Sequence, residues 1–158
     1  MLIREYEPSD EEALRACVIQ LQDVEREIYP RTADGAVIAK PYIAYLVEIC
    51  RANRGRILVA ERDGQVVGYS AVQIWDSSDE VHEEAYEYAY ISDLVVLETH
   101  RGKGLGRALL DAAEAFAQGE GVDIVRIGVL AENKSVRRMY KNRGFGEHKV
   151  VLEKVFCG

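Results

Sequence analysis

ISDLVVLETHRGKGLGRALL, residues 91–110, decides the fold. It opens on a largely apolar run, the pattern of a strand covered on both faces. It turns through Arg101-Gly102-Lys103-Gly104-Leu105-Gly106 and goes on with Leu105, Ala108, Leu109, Ala112 and Phe116 at helical spacing. Gly119 and Gly121 end that helix, and DIVRIGVL (123–130) is a second buried strand. Strand, helix and strand over residues 88–130 predict a parallel, right-handed β-α-β unit. The turn itself is an anion site. Its glycines let backbone N–H groups converge, the helix N-terminus adds about half a positive charge, and Arg101, Lys103 and Arg107 add full ones. A pyrophosphate is the natural occupant. A Walker loop fits badly, because Gly104 stands where Ser or Thr should follow Lys103. The dinucleotide fingerprint fits no better, since its third glycine comes one residue early and Ala108 lies beyond it. A glycine-rich helix start with solvated basic residues is the plainer alternative.

Outward from this unit the elements follow one another with no linker or internal repeat. YEYAYISDLVVL (86–97) makes the first buried strand a long one. Before it, DSSDEVHEEAYE (76–87) carries six acids (Asp76, Asp79, Glu80, Glu83, Glu84, Glu87) without a Lys or Arg, and reads as a loop. RILVAER and QVVGYSAVQIW flank Asp63-Gly64, a hairpin turn whose positive φ angles match strand twist. At the N-terminus LIREY (2–6) is a short strand. Ser9 and Glu12 form a capping box for a helix with Leu14, Cys17, Val18, Leu21 and Val24 inward, ending near Ile28 before Pro30. Pro41 suits the first turn of a second helix, with Ile43, Leu46, Val47 and Cys50 on one face. Downstream, Asn133 caps a shorter helix with Val136, Met139 and Tyr140 inward, Gly144 ends it, and KVVLEKVF (149–156) is a last strand. The order β-α-α-β-β-β-α-β-α-β is α/β with a mixed sheet.

Composition narrows the function. A chain of 158 residues, 48% hydrophobic, suits one domain that buries roughly two-thirds of its unfolded surface. With 27 acidic against 20 basic residues the net charge is -7, the wrong sign for a nucleic-acid binder. No apolar run nears the ~20 residues of a membrane span, and MLIREYEPSDEE lacks a signal-peptide core. Cys17, Cys50 and Cys157 fit neither a disulfide framework nor a zinc spacing, so no metal is implied. The expectation is a soluble cytoplasmic protein, with a homodimer left open.

Two spaced motifs then carry a resemblance. Arg101, Gly104 and Gly106 fall at a strand-to-helix junction, and NKSVRRMYKNRGF brings Asn133, Tyr140 and Gly144-Phe145 after the next strand. Residues 88–145 thereby resemble the signature region of the GNAT superfamily of N-acetyltransferases, with Val136 departing from a common small Ala. The resemblance implies a mixed, mostly antiparallel sheet with a central parallel pair that splays apart, flanked by about four helices. It also implies acetyl-CoA as cosubstrate, held in the notch between the two parallel strands. Its phosphates would lie on Arg101, Gly102, Lys103, Gly104, Leu105 and Gly106. A bulge would free backbone groups around Leu94, Val95 and Val96 for the pantetheine amides and the thioester oxygen. Asn133 would cap its helix, contact the cofactor, or do both. Tyr140 would give the leaving thiolate its proton, or simply be core.

The general base stays open. Ser92 and Gly128 occupy the places where relatives acting on polyamines and on ribosomal protein N-termini carry glutamates. Asp93, Glu84, Glu87 or a water is left, and by alternation Asp93 faces away from Ser92 unless a bulge turns it. The expected acceptor is a small cationic amine or a peptide amine, attacking directly in a ternary complex. The acids of 76–87, joined by Glu25 and Glu27, either concentrate it or merely solvate a loop. Trp75, Tyr86, Tyr88 and Tyr90 frame an acceptor pocket or pack the strands, and His82 reads as exposed. A non-catalytic CoA-binding module on the same fold is the alternative from another class.

Overall fold

Asp63 and Gly64 take φ angles of 51° and 76°. Strand β2 (Arg56–Arg62) therefore folds back on β3 (Gln65–Asp76) through the two-residue turn that the sequence predicts. In this computed structural model, which describes residues 1–157, β1 (Leu2–Glu5) pairs antiparallel with β2. β3 pairs antiparallel with β4 (Glu87–Val96), and β4 runs parallel to the short β5 (Val125–Ile127). The sheet order is β1-β2-β3-β4-β5, mixed as expected.

Helices α1 (Glu11–Ile28) and α2 (Gly35–Ala52) cover one face. There Leu14, Cys17, Val18, Ile43 and Leu46 pack with Val59, Tyr69, Ala71 and Val95. α3 (Leu105–Gly119) covers the other face, with Leu109 Cδ1 only 3.4 Å from where a Cβ would stand on Gly68. All of these belong to one compact unit, Met1–Gly128. A second unit begins at Val129 and holds α4 (Lys134–Asn142). No helix among the described residues is long and apolar enough to cross a membrane.

The structure departs from the sequence reading at several points. Asp10, not Glu12, closes the N-terminal box: its carboxylate accepts the Glu7 N–H at 2.8 Å and the two terminal nitrogens of the Arg4 guanidinium at 2.8 and 3.0 Å. Arg4 holds the Asp10 carboxyl below the usual carboxylate range. A short 3₁₀ turn at Pro8–Asp10 precedes α1. α2 starts before Pro41, at Gly35, with the Asp34 side chain accepting from the Ala36 N–H. Pro41 is tolerated mid-helix because that face is exposed, where water can satisfy the carbonyl its ring leaves unbonded. The buried stripe of α3 is Leu105, Leu109, Leu110, Ala113 and Ala117, rotated from the predicted one so that Phe116 is only half-buried. Val24, Val47 and Met139 are partly exposed, not inward. The last predicted strand is absent: residues 149–156 have no ladder partner, and Val151 and Leu152 are 85% and 90% exposed. Alternation supplies a face, but the hydrogen bonds of a strand come from a neighbour.

Candidate functional site

β4 loses one of its two partners halfway along. Its pairing with β5 runs Ala89↔Val125, Tyr90↔Arg126, Ile91↔Ile127, and then stops. At that point the β3 register jumps from Ala71↔Asp93 to Val72↔Ile91, so Ser92 is an extra, bulged residue. The bulge reverses which backbone groups face which neighbour. Before it the Ala89 N–H donates toward β5, to Ile124 O at 2.8 Å. After it the Leu97 N–H donates the other way, to Val67 O at 2.9 Å. By alternation Val95 turns its peptide groups into the β3 ladder, while Leu94 and Val96 turn theirs toward the edge that β5 has left. The Val96 carbonyl there accepts from Arg101 Nε at 3.0 Å.

The glycine turn lies next along the chain. Gly102 and Gly104 have φ of 74° and 83°, a conformation that costs a side-chain-bearing residue, and a Cβ on either would meet nothing within 4 Å. Gly104 is the N-cap of α3, so the free N–H groups of its first turn open onto uncovered space. Arg101, Gly102, Lys103 and Gly104 are exposed, whereas Leu105 is buried as the first core residue of α3. Lys103 Nζ is 3.4 Å from Thr99 O, and Arg101 reaches Val96 O, so both cations lean on their own loop. What the turn leaves uncovered is backbone. The turn and the open β4 edge fit a ligand that joins a diphosphate to an extended, amide-bearing arm.

In the second unit, Asn133 precedes α4 and its side chain makes no cap hydrogen bond; its carbonyl accepts from the Arg137 N–H at 3.0 Å. Tyr140 is buried and its ring meets that of Phe145 at a 60° tilt, with centroids 5.7 Å apart. The Phe145 N–H bonds back to Tyr140 O, and Gly144 takes a φ of 94° to end the helix.

On the α2 side of the sheet the bulge opens into a cleft of about 280 Å³. Tyr45, Leu46 and Ile49 of α2 form one wall. Trp75 and Gln73 of β3, with their register partners Tyr88 and Tyr90 and then Ser92 on β4, form the floor. Gln73 Nε2 donates to Ser92 Oγ at 2.9 Å and to Cys50 Sγ at 3.4 Å. Burial raises the Tyr90 hydroxyl above its ordinary pKa, with Asp93 adding to the effect.

The carboxylates weighed as bases lie elsewhere. The bulge does turn Asp93 to the same side as Ser92, but Asp93 is sealed at 4% exposure beneath the Tyr42 and Tyr69 hydroxyls, at 2.7 and 2.5 Å. Burial lifts its pKa, and the two tyrosines pull the other way. Glu87 is paired with Arg54 at 2.6 Å, and Glu84 is exposed in the loop. None of the eight residues lining the cleft is a carboxylate. The loop acids serve the loop: Asp76 accepts from the Ser78 N–H, and Glu83 accepts from the Tyr86 hydroxyl. Exposed His82 lies 3.8 Å from Glu80 and from Glu83.

Trp75, Tyr88 and Tyr90 thus line the cleft, while Tyr86 does not; its hydroxyl takes a bond from Arg126 at 2.8 Å. Sequence reasoning missed Tyr45, Gln73 and the Tyr42–Asp93–Tyr69 cluster. Their signal was present, since Tyr69 and Gln73 break the apolar character of β3 on a single face, and Tyr42 and Tyr45 are three apart on α2.

A family model described as Acetyltransferase (GNAT) family matches residues 18–145. The chain is 33% identical over 108 residues to an uncharacterized N-acetyltransferase of Methanocaldococcus jannaschii, covering 68% of this chain and 46% of that one. It is 32% identical over 114 residues to an N-alpha-acetyltransferase of Sulfurisphaera tokodaii, covering 70% and 68%. The matched stretch spans about half the length of several such relatives. Among solved structures, an aminoglycoside N-acetyltransferase in complex with CoA superposes with a TM-score of 0.70 over 99% of this chain and 100% of that one, at 19% identity. Taken with the mixed sheet, the bulged β4 and the glycine turn, the match over residues 18–145 means that the chain belongs to the GNAT acetyltransferase family.

Proposed function

We propose that this protein moves an acetyl group from acetyl-CoA to a primary amine by direct attack in a ternary complex. One observation carries the reading: the β4 edge at Leu94 and Val96 is open where β5 departs, and the glycine turn with uncovered backbone N–H groups follows it in the chain. CoA is the ligand of the aminoglycoside acetyltransferase that shares this fold.

When bound, acetyl-CoA supplies a thioester whose carbon–sulfur bond breaks as the amine nitrogen bonds the carbonyl carbon. The turn from Arg101 to Gly106 and the α3 N-terminus hold the phosphates. Leu94 and Val96 offer peptide groups to the pantetheine arm, and their N–H groups polarise the carbonyl oxygen. Tyr140 gives the sulfur its proton and regains one from solvent, a role carried over from the family motif. Asn133, whose side chain is not spent on capping, is the proposed contact to the cosubstrate. With no carboxylate in the cleft, water carries away the proton that the amine loses.

The absence of a lining carboxylate is also the observation that favours the second reading, a CoA-binding module without catalysis. Calorimetry with CoA, combined with thiol release from acetyl-CoA across a panel of amines, tests both. Binding with amine-dependent release supports the transferase, binding without release supports the module, and no binding overturns both.

A further inference from the structure

We infer that the cleft beside the β4 bulge selects a primary amine carried on a single flat, apolar ring. The inference rests on the acetyl-transfer reading and names the acceptor class of that site.

Four of the eight lining residues are aromatic: Tyr45, Trp75, Tyr88 and Tyr90. They come from three elements and face one space, which makes a slot for a flat group. At about 280 Å³ the cleft falls at the small end of ligand pockets, which run from about 300 to 1,000 Å³. That volume matches one ring and a short arm, and the rest of a larger acceptor would lie outside the cleft.

Charge points the same way. No lining residue is ionised, so nothing there would hold the second cation of a polyamine. On the aromatic wall the Arg126 guanidinium carbon lies 4.2 Å from the Tyr88 ring centroid and 5.4 Å from that of Tyr86, and Arg126 shares the Tyr86 hydroxyl with the Glu83 carboxylate, so this wall offers an incoming ligand no lone anion.

The polar groups lie at the bulge end. Gln73, only 1% exposed, spends its Nε2 on Ser92 and Cys50, and the part-buried Ser92 Oγ keeps a lone pair to accept from an amine N–H. Ser92 marks the point where β4 and β5 part. Amine at Ser92 and ring laid against Trp75 and Tyr88, with Tyr45 across the cleft, is the orientation that satisfies both ends of the slot.

Trp75 is the only tryptophan, so its fluorescence reports occupancy of the cleft whether or not acetyl moves. The protein, with CoA present, is titrated with 2-phenylethylamine, propylamine and spermidine, and thiol release from acetyl-CoA is measured for each amine in a separate assay. The fluorescence should respond to 2-phenylethylamine at concentrations about ten-fold lower than to propylamine, with kcat/KM following by about 10–100-fold. Tyr45→Ala, at a position 56% exposed, should erase most of that preference, and Tyr45→Phe should keep it. An unresponsive Trp75, a spermidine kcat/KM at or above that of 2-phenylethylamine, or a preference untouched by Tyr45→Ala overturns the inference. Loss of CoA binding is a different failure, since it strikes the transferase reading and leaves the fluorescence response intact.

Discussion

At Gly104 a Cβ would meet nothing within 4 Å, whereas at Gly128 it would stand 2.7 Å from the Tyr90 hydroxyl. Both glycines belong to the β-α-β unit, and they mark two ways of building a binding surface. Around Gly104 the chain exposes bare backbone, with φ of 83° and a helix N-terminus, and the neighbouring cations lean on their own loop. Beside Gly128 the space is taken by a side chain, that of Tyr90. On the proposed function, the first surface would recognise what every acetyl-CoA carries, and the second what one acceptor carries. A backbone surface tolerates sequence change except at the positions that must stay bare. A side-chain surface changes its ligand with each substitution.

Tyr140→Phe is the change with the largest expected effect, because Tyr140 comes from the same kind of compact motif as the turn. Deleting the hydroxyl while keeping the ring on Phe145 should lower kcat by roughly 10²–10⁴-fold and leave the CoA dissociation constant nearly unchanged. Wild-type kcat in a folded variant would return Tyr140 to the core and restrict what the motif says about chemistry.

That contrast also explains what could be read from the sequence. The hairpin at Asp63-Gly64, the β-α-β unit and the turn at 101–106 are local: a few adjacent residues dictate φ angles, periodicity and N–H direction. Strand 149–156 was equally clear as a pattern, yet a ladder needs a partner that no local pattern supplies. The cleft was half visible. Trp75, Tyr88 and Tyr90 could be named, but their company with Tyr45 and Gln73 depends on how α2 crosses the sheet. Asp93 could not be judged at all until the bulge at Ser92 had been seen. One extra residue turns the carboxylate inward beneath Tyr42 and Tyr69, away from the chemistry.

Gly104→Asp sharpens the backbone side of the comparison. It adds a side chain where φ disfavours one, and a negative charge where phosphates should lie. Affinity for CoA should fall by roughly a hundred-fold, ~2.7 kcal/mol, by calorimetry, in a variant whose circular dichroism is unchanged. Lys103→Ala should cost much less, since the charge it removes is exposed and leans on Thr99. Equal losses in the two variants would mean that side chains, not backbone, hold the anion.

Gly128→Ala probes the other side. The new methyl cannot coexist with the Tyr90 hydroxyl where it stands, so Tyr90 must move and the cleft with it. The acceptor kcat/KM should fall by about ten-fold with CoA binding preserved. Tyr90→Phe in the same chain removes the colliding oxygen and leaves the ring carbon that bore it 3.8 Å from the new methyl, an ordinary contact. The double variant should therefore recover part of the loss, a non-additivity expected only of neighbours. Strictly additive losses would detach Gly128 from the cleft.

The smallest effect is expected where the sequence is most highly charged. Changing Glu80, Glu83 and Glu84 together to Gln removes three of the six acids of the 76–87 segment. None of the six lines the cleft, Glu87 is paired with Arg54, and Asp76 is held by the Ser78 N–H of its own turn. Glu83 is occupied with Tyr86. Exposed charges are also screened beyond about 8 Å at physiological ionic strength. Acceptor KM should therefore change by less than about two-fold, with similar salt dependence in wild type and variant from about 0.01 to 1 M. A KM that rises several-fold at low salt and converges with wild type at high salt would show the loop drawing a cationic amine over distance. In that case the acceptor would be chosen by a field as well as by fit, and the division between a generic backbone surface and a specific side-chain surface would need a third, electrostatic region.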